Sequence, residues 1–274
     1  MKNLKERVKK HWENEICGIR YGRSKDRKKF YEEIKNARYK FEPYIKDFAK
    51  FEQSDGLKVL EIGVGAGVDF SQWVFWSDKP VGIDLTEAGI NHTKDMLEAI
   101  GIKNSQYSLL VADSEFIPFK NSRFDLVYSW GVLHHSPDTE KCLQEIFRVL
   151  KPEGILRIML YHRPSWTGFM LWLRYALFTG RITLSQREVA LRNLESPGTK
   201  MYTIDEAKAL LNKSGFVGMH FLSKLSPGDT LSIKPSNKFQ GFAYKVIWKI
   251  YPRWLVRLLG DRLGLYLLIE AKKP

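Results

Sequence analysis

The sequence has few of the residues that mark secreted, zinc-binding or membrane-spanning proteins. It contains two cysteines, Cys17 and Cys142, which make neither a disulfide framework nor a cysteine-rich zinc site. No apolar run reaches the ~18 residues that cross a bilayer, and residues 1–10 are too charged to form a signal peptide. We therefore expect a cytoplasmic protein that binds no metal.

Acidic residues are also scarce relative to basic ones. The chain carries 44 Lys and Arg against 31 Asp and Glu, which gives a net charge of +13. Residues 1–50 and 161–274 are basic, whereas residues 51–160 are acidic. Basic segments attract nucleic acid, anionic lipid or phosphorylated substrates. A lysine-rich solvated surface explains the same charge equally well.

What the sequence does contain is a glycine-rich turn in residues 59–67, VLEIGVGAG. Val59–Ile62 has the composition of a short buried parallel strand, and the three alternate glycines let the backbone turn sharply and approach a ligand closely. A helix pattern begins near Asp69, so its N-terminus faces the same turn. The dinucleotide fingerprint G-x-G-x-x-G is not met, because Val68 stands in the place of its third glycine.

Short apolar strand patterns alternate with helical patterns of about 10–15 residues through the central segment. This alternation predicts an α/β fold with a parallel sheet and right-handed crossovers. The predicted strands are residues 58–62, 81–85, 107–111, 124–130, 155–160, 216–225 and 266–271.

Carboxylates stand at the ends of two predicted strands. Asp84 ends the second strand, 21 residues after Gly63, where a carboxylate can accept both ribose hydroxyls of an adenosine. A lone aspartate at a strand end usually caps a helix, but Glu61 and the glycine spacing favour the nucleoside role. Asp113 follows the third strand in the same way.

Together these segments resemble the class I S-adenosylmethionine (SAM) methyltransferases, in the UbiE-like or type 11 branch. The resemblance covers about residues 58–161 and rests on residues 61–67, Asp84, 113–119 and 124–135. It implies SAM as the cofactor, S-adenosylhomocysteine as the product and no metal. The implied fold is a Rossmann-like, seven-stranded and mostly parallel sheet. We accordingly divide the chain into an N-terminal helical lid (1–57), a SAM-binding core (58–161), a helical insertion (162–200) and a C-terminal part of the sheet with a basic aromatic segment (201–274).

The resemblance also implies roles within the cofactor site. In this family the glycine loop wraps the methionine part of SAM, an acid at the position of Asp113 accepts the adenine amino group, and Ser114 supplies a neighbouring amide. Arg38 or Tyr39 is a candidate for the SAM carboxylate, with a packing helix and a solvated arginine as the alternative. The predicted cofactor-binding residues are Glu61, Gly63, Gly65, Gly67, Asp84, Leu85, Asp113, Ser114, Ser129 and Arg38.

Three histidines are the candidate catalytic residues, namely His134, His135 and His162. Methyl transfer to an alcohol or a phenol gains from a base, and the unperturbed histidine pKa of ~6.5 suits that role. The pair His134-His135 resembles the paired histidines of sugar O-methyltransferases that act on natural-product glycosides. We expect one of the two to be functional and the other to be structural.

The sequence thus predicts methyl transfer to a hydroxyl of a small or glycan-like molecule. The main alternative is a lipid or quinone acceptor at the inner membrane face, with peripheral contact to anionic lipid, because residues 166–181 and 242–262 are aromatic and basic. A lid packed over the sheet explains the same segments. An RNA acceptor is less favoured, since residues 129–132 lack the Asn/Asp-Pro-Pro-Tyr loop. A SAM-binding module without activity would leave the histidines without a role.

Overall fold

The computed structural model describes residues 2–232, 249 and 251–274. Its strands are β1 (Val59–Ile62), β2 (Val81–Asp84), β3 (Ser108–Val111), β4 (Phe124–Trp130), β5 (Leu150–Tyr161), β6 (Val217–Lys224) and β7 (Tyr266–Lys272). Within these ranges the seven strands form one sheet in the order β3-β2-β1-β4-β5-β7-β6. Strands β1 to β5 pair in parallel, and β7 runs antiparallel between β5 and β6. The prediction of a mostly parallel seven-stranded sheet is confirmed.

Helices flank the sheet, and their starts carry capping side chains. Thr86 Oγ1 accepts a hydrogen bond from the Gly89 amide at 3.1 Å, and Thr203 and Glu206 form a capping box. The helices are α1 (Lys2–Asn14), α2 (Arg27–Phe41), α3 (Tyr44–Ala49), α4 (Val68–Trp76), α5 (Glu87–Ala99), α6 (Thr139–Val149), α7 (Trp166–Tyr175), α8 (Gln186–Asn193), α9 (Ile204–Lys213) and α10 (Arg253–Leu259). In the part of the chain that the structure describes, none of them has the length and apolar character to cross a membrane.

Both faces of the sheet are buried, which explains why its parallel strands are almost continuously apolar. Leu60 and Ile62 belong to one core, together with side chains of α6 and α9, whereas Val59 and Tyr128 belong to a second core with side chains of α4. Successive strand residues point to opposite faces, so Glu61 lies on the face that α4 covers.

Strand β5 is longer than the predicted residues 155–160, because it begins at Leu150, which pairs with Phe124. Its pairing with β4 shifts register between Phe124 and Leu126, and Glu153 takes a positive φ of 61°. The Pro-Glu-Gly segment at residues 152–154 is therefore an irregularity within the strand.

The predicted basic aromatic segment, residues 242–262, lies partly outside the described residues. Lys249 and residues 251–262 are described, whereas Lys245 and Trp248 are not. Helix α10 begins directly after Pro252.

The strand order reverses between β1 and β4, since β2 and β3 continue to one side of β1 and β5 lies on the other side of β4. Ligands of open α/β sheets bind at the carboxyl ends of the strands beside such a switch point. Asp84 is the last residue of β2, and the turns after β1, β3 and β4 hold residues 63–67, 113–114 and 134–135, respectively. These predicted site residues therefore share one edge of the sheet.

Candidate active site

The turn after β1 is tight at two glycines and open at the third. Gly63, Gly65 and Gly67 have φ of 81°, 52° and 81°, a region that glycine enters readily. A Cβ at Gly63 would lie 2.2 Å from Cγ2 of Val132, and one at Gly67 would lie 2.9 Å from Cα of Thr93. A Cβ at Gly65 would meet no described atom within 4 Å. The loop therefore presents an unfilled surface at Gly65.

The carboxylate of Asp84 is fixed beside that surface. Its Oδ2 accepts a hydrogen bond from the Gly65 amide at 3.0 Å, and its Oδ1 accepts from the amide and the hydroxyl of Thr86 at 2.9 and 2.7 Å. Gly89 leaves room for it, because a Cβ there would lie 2.7 Å from Asp84 Cγ. The next residue, Leu85, is half-buried. Asp84 is thus a positioned acid at the sheet edge.

The acids after β3 are bound by the N-terminal helix. Lys5 of α1 places its Nζ 2.6 Å from Asp113 Oδ2 and also pairs with Glu115. Asp113 Oδ1 accepts from the Glu115 amide at 2.9 Å, and Ser114 Oγ lies 3.2 Å from Sγ of Cys142. Both oxygens of Asp113 therefore have partners, and one partner belongs to α1.

Helix α1 also contacts the turns that follow β2 and β4. Glu13 accepts a hydrogen bond at 3.0 Å from the Ala88 amide at the start of α5. The indole of Trp12 meets the His135 ring edge-on at 4.9 Å, and Val8 is only 3% exposed. Helix α1 therefore lies over the same sheet edge, where the predicted N-terminal lid would have to lie.

Arg38, the predicted ligand of the SAM carboxylate, is paired with two acids. Its Nε donates to Asp69 Oδ1 at 2.8 Å, its Nη2 donates to Asp69 Oδ2, and its Nη1 lies 3.1 Å from Glu42 Oε2. The hydroxyls of Tyr39 and Tyr128 also donate to Asp69, at 3.2 and 2.9 Å. Asp69 is not among the residues predicted from the sequence. The signal for it is an acid in the first turn of the helix after the glycine loop.

Glu61 is a buried acid with an unpaired oxygen. Its side chain is buried, and Oε2 has no hydrogen-bond partner among the residues that the structure describes. Burial, and next the charge of Asp69, raise the pKa of Glu61 well above its ordinary value, although Arg38 acts in the opposite direction. An unsatisfied buried polar atom costs about 1–3 kcal/mol. This oxygen is therefore suited to accept a hydrogen bond from a ligand.

Two predicted site residues make their contacts with the backbone. Ser129 Oγ donates to the Ile62 carbonyl at 3.0 Å, which ties β4 to β1. His162 Nδ1 lies 3.1 Å from the Gly264 carbonyl oxygen, and burial lowers the pKa of its imidazole. Because His162 follows Tyr161 directly, their side chains point to opposite faces of the sheet.

His135 is held by a loop of the helical insertion. Its Nδ1 lies 2.9 Å from Ser196 Oγ and 3.0 Å from Thr199 Oγ1, and its Nε2 lies 3.4 Å from Glu195 Oε2. Thr199 donates its own hydroxyl proton to the Ser196 carbonyl at 2.7 Å, whereas Ser196 Oγ can either donate to Nδ1 or accept from it. Two hydroxyl groups therefore hold Nδ1, and the buried Nε2 faces the carboxylate of Glu195.

Glu195 joins His135 to Tyr161, whose hydroxyl donates to Glu195 at 2.9 Å. Desolvation opposes the charge of Glu195, although its side chain is 39% exposed, and His135 and the Tyr161 hydroxyl hold its pKa below the ordinary value. Glu195 is not among the residues predicted from the sequence. Its only signal there is that residues 162–200 contain just two acids, Glu188 and Glu195.

His134 is a packing residue in this structure. Its ring is fully buried and stacks on Tyr161, with ring centroids 3.9 Å apart and an interplanar angle of 28°. Neither ring nitrogen has a hydrogen-bond partner within the described residues. Burial, and next the neighbouring His135, lower the pKa of His134 well below its ordinary value. His134 is therefore a neutral, apolar contact at neutral pH.

Aromatic rings continue from His134 along the ends of β4, β5 and β7. Tyr161 and Tyr266 are parallel at 6.0 Å, Trp130 lies 5.8 Å from Tyr266, and Tyr44 lies 6.1 Å from Trp130. Tyr44, Trp130 and Tyr266 are only half-buried. An aromatic surface therefore adjoins the histidine pair.

The family model of the methyltransferase domain matches residues 53–215 of this chain. The chain belongs to the class I SAM-dependent methyltransferases. This methyltransferase is 29% identical over 176 residues to the ubiquinone/menaquinone biosynthesis C-methyltransferase UbiE of Cronobacter sakazakii, across 61% of this chain and 68% of that relative. It is 30% identical over 126 residues to the sterol 24-C-methyltransferase erg6 of Aspergillus fumigatus, across 43% of this chain and 33% of that relative.

A solved structure shows the same fold. The methyltransferase resembles a chain from the complex between the Haloferax volcanii Trm112 methyltransferase activator and a methyltransferase, with a TM-score of 0.59. The match covers 89% of this chain and 93% of the other at 16% identity. At this identity it supports a conclusion about the fold alone.

The cofactor of this methyltransferase family is SAM, and the sheet edge fits it in three respects. The surface at Gly65 is open, so the backbone of the glycine loop is accessible to a ligand. The unpaired Oε2 of Glu61 is suited to a donor such as an ammonium group. Asp84 holds a positioned carboxylate at the end of β2.

Proposed function

We propose that this methyltransferase transfers the methyl group of SAM to a hydroxyl of a small molecule that contains an apolar ring. The observation that carries the proposal is the arrangement of His135, whose Nε2 lies 3.4 Å from the Glu195 carboxylate beside an aromatic surface. The histidine base argues for a hydroxyl acceptor, and the aromatic surface argues for a ring.

We assign SAM to the glycine loop and the acids around it. When bound, SAM supplies a methyl group on a sulfonium, which is its own leaving group. The surface at Gly65 takes the methionine part, Glu61 accepts from its amino group, and Asp84 accepts from the ribose. Asp113 accepts from the adenine amino group once Lys5 releases its Oδ2. Contacts of SAM with Gly63, Gly67, Leu85, Ser114, Ser129 and Arg38 stay predictions.

The imidazole of His135 takes the proton of the acceptor hydroxyl. The ionised Glu195, which lies 3.4 Å from Nε2, stabilises the imidazolium that forms. The further contribution of the protein is to hold the acceptor oxygen in line with the methyl group. We assign a structural role to His134, which stacks on Tyr161. We assign no role in proton transfer to His162.

The apolar ring is supported by the half-buried faces of Trp130 and Tyr266. The Cronobacter relative is named a C-methyltransferase of ubiquinone and menaquinone biosynthesis, and the Aspergillus relative is named a sterol 24-C-methyltransferase. Both names point to ring-containing lipids and give carbon as the methylated atom. Removal of a ring hydroxyl proton makes the oxygen and the adjacent ring carbons more nucleophilic, so the same base serves both positions. A second candidate is a lipid acceptor taken from a membrane surface, which the exposed apolar and basic residues described below favour.

The proposal is tested with purified protein, radiolabelled SAM and matched acceptor pools. We expect label in hydroquinones or phenols, and about a hundredfold lower rate for His135→Gln. His220→Gln, which changes an exposed histidine of β6, is expected to keep the wild-type rate. Label confined to amines or RNA, or equal rates for His135→Gln and wild type, would overturn the proposal.

A further inference from the structure

An exposed apolar tip follows helix α7. Phe178 is 78% exposed and Ile182 is 62% exposed. The turn that carries them is hydrogen-bonded, because the Arg181 amide donates to the Ala176 carbonyl at 2.8 Å and Thr179 Oγ1 donates to the Tyr175 carbonyl at 2.8 Å. A hydrogen-bonded turn therefore holds these apolar side chains on the outside of the molecule.

Helix α10 presents a second exposed apolar surface. Its Val256 is buried, whereas Trp254 and Leu258 are 69% and 74% exposed. Trp254, Arg257 and Leu258 lie at positions i, i+3 and i+4, so they share one helix face. This face combines an indole, a leucine and a guanidinium on the outside of the molecule.

The two segments start at a common point, the buried Asp229. Asp229 Oδ1 accepts from the amide and the hydroxyl of Thr167, both at 2.8 Å, in the first turn of α7. The Asp229 carbonyl accepts from the Tyr251 hydroxyl at 2.7 Å, two residues before α10. Asp229 therefore brings the starts of α7 and α10 together, and the exposed tip follows the other end of α7. We call the outward side chains of residues 177–182 and of α10 the apolar-basic surface.

The charge of these segments has one sign. Residues 161–187 and 230–260 contain no acidic residue and ten Lys and Arg. Apolar and aromatic groups among basic residues are the composition of helices that lie in the interface of an anionic bilayer. Each basic residue near such a surface adds about 1 kcal/mol of attraction.

We propose that the apolar-basic surface binds anionic membrane lipid. Phe178, Ile182, Trp254 and Leu258 insert among the lipid chains, and Arg181 and Arg257 face the anionic headgroups. Helix α7 follows β5, whose last residue, Tyr161, belongs to the aromatic surface of the site, so a membrane-dissolved acceptor would approach the site from this side. That approach rests on the proposed function, whereas lipid binding does not.

Vesicle co-sedimentation of the full chain, without SAM or acceptor, tests the proposal. We expect binding to vesicles of phosphatidylcholine with phosphatidylglycerol, weaker binding at high salt because exposed charges are screened, and little binding to phosphatidylcholine alone. The double variant Phe178→Ser/Ile182→Ser is expected to bind about tenfold more weakly. Arg257→Gln is expected to bind about fivefold more weakly.

Phe75→Ser is the matched control, since Phe75 of α4 is also exposed, at 60%. It is expected to bind vesicles as the wild type does. Absence of binding to anionic vesicles, or an equal loss for Phe75→Ser, would overturn the proposal. So would a dimer in size-exclusion chromatography that the double variant dissociates, because the surface would then join two copies of the chain. Unchanged S-adenosylhomocysteine binding shows that each variant is folded, and methyl transfer to a water-soluble hydroquinone tests the proposed function separately.

Discussion

Lys5 Nζ lies 2.6 Å from Asp113 Oδ2, across 108 residues of sequence. The contact joins helix α1 to the turn after β3, and the same lysine also pairs with Glu115. We propose that Asp113 accepts a hydrogen bond from the adenine amino group of SAM. The oxygen that would accept from adenine is therefore bound by the N-terminal helix, and SAM binding has to displace Lys5 from it.

Replacement of Lys5 by methionine is expected to strengthen S-adenosylhomocysteine binding by about fivefold. A partly exposed ion pair contributes up to about 1 kcal/mol of stability. The wild-type protein loses the Lys5–Asp113 pair when Asp113 binds adenine, whereas Lys5→Met has no such pair to lose. Isothermal titration calorimetry measures the change. Lys9→Met, an exposed position of the same helix, should bind as the wild type does. Weaker binding by Lys5→Met would mean that Lys5 itself contributes to the bound state.

Alanine at Gly63 should lower the stability of the protein, whereas alanine at Gly65 should lower its affinity for the cofactor product. Gly63→Ala places a Cβ 2.2 Å from Val132, so the free energy of unfolding should fall by about 3 kcal/mol in urea titrations. Gly65→Ala meets no neighbouring atom, so it should fold but lose at least about tenfold in S-adenosylhomocysteine affinity.

Gly101→Ala is the matched control for Gly65→Ala, because Gly101 also has a positive φ, of 84°, and open space around its Cβ position. Alanine at either position is strained by the positive φ, at a cost of about 1 kcal/mol in folding free energy, but Gly101 lies away from the proposed cofactor site. Equal losses of S-adenosylhomocysteine affinity in Gly101→Ala and Gly65→Ala would argue against a cofactor surface at Gly65.

Glu195→Gln should lower kcat by roughly tenfold to a hundredfold, because the amide cannot stabilise the His135 imidazolium as a carboxylate does. KM for SAM should change little, since Glu195 makes its contacts with His135 and Tyr161. Steady-state kinetics with the identified acceptor separates the two parameters, and Glu195→Asp should recover part of kcat. Glu188→Gln, an exposed acid of the same insertion, should be silent. A change in KM for SAM alone would contradict the positioning role.

His134 should make the stability depend on pH on the acid side of neutrality. Its pKa is lowered in the folded state by burial, so the unfolded chain takes up a proton first as the pH falls below ~6.5. Stability is unaffected above that value and falls by about 1.4 kcal/mol per pH unit below it, until the folded pKa is reached.

His134→Phe keeps the stack on Tyr161 and removes this titration. Urea unfolding at several pH values should therefore show a shallower acid loss for His134→Phe than for wild type, with His220→Phe as the exposed control. The remaining slope belongs to His162 and other groups, since burial also lowers the pKa of His162. Parallel curves for wild type and His134→Phe would show that His134 does not titrate differently in the folded and unfolded states.

Local patterns were enough to place the strands and the residues that end them. Asp84 and Asp113 each follow a short apolar run, and parallel strands bring such residues to one edge. The position of β7 between β5 and β6 depends on pairings such as Leu156 with Ala271, which no local pattern carries.

The partners of the site residues are also beyond local patterns. Glu195 lies 60 residues after His135 in the sequence, and only the packing of the helical insertion brings the two side chains together. The pairing of Arg38 with Asp69 likewise requires α2 to lie against α4. Residue type and spacing identified the histidines, whereas the distinction between a bonded His135 and a stacked His134 required the tertiary contacts.

The central claim is that His135 accepts the proton of a ring hydroxyl during methyl transfer. It is tested most directly by the single-turnover rate of methyl transfer from SAM to a hydroquinone or phenol, measured for wild type and for His135→Gln. The rate of His135→Gln should be about a hundredfold lower than that of wild type. Equal single-turnover rates for the two proteins would contradict the claim.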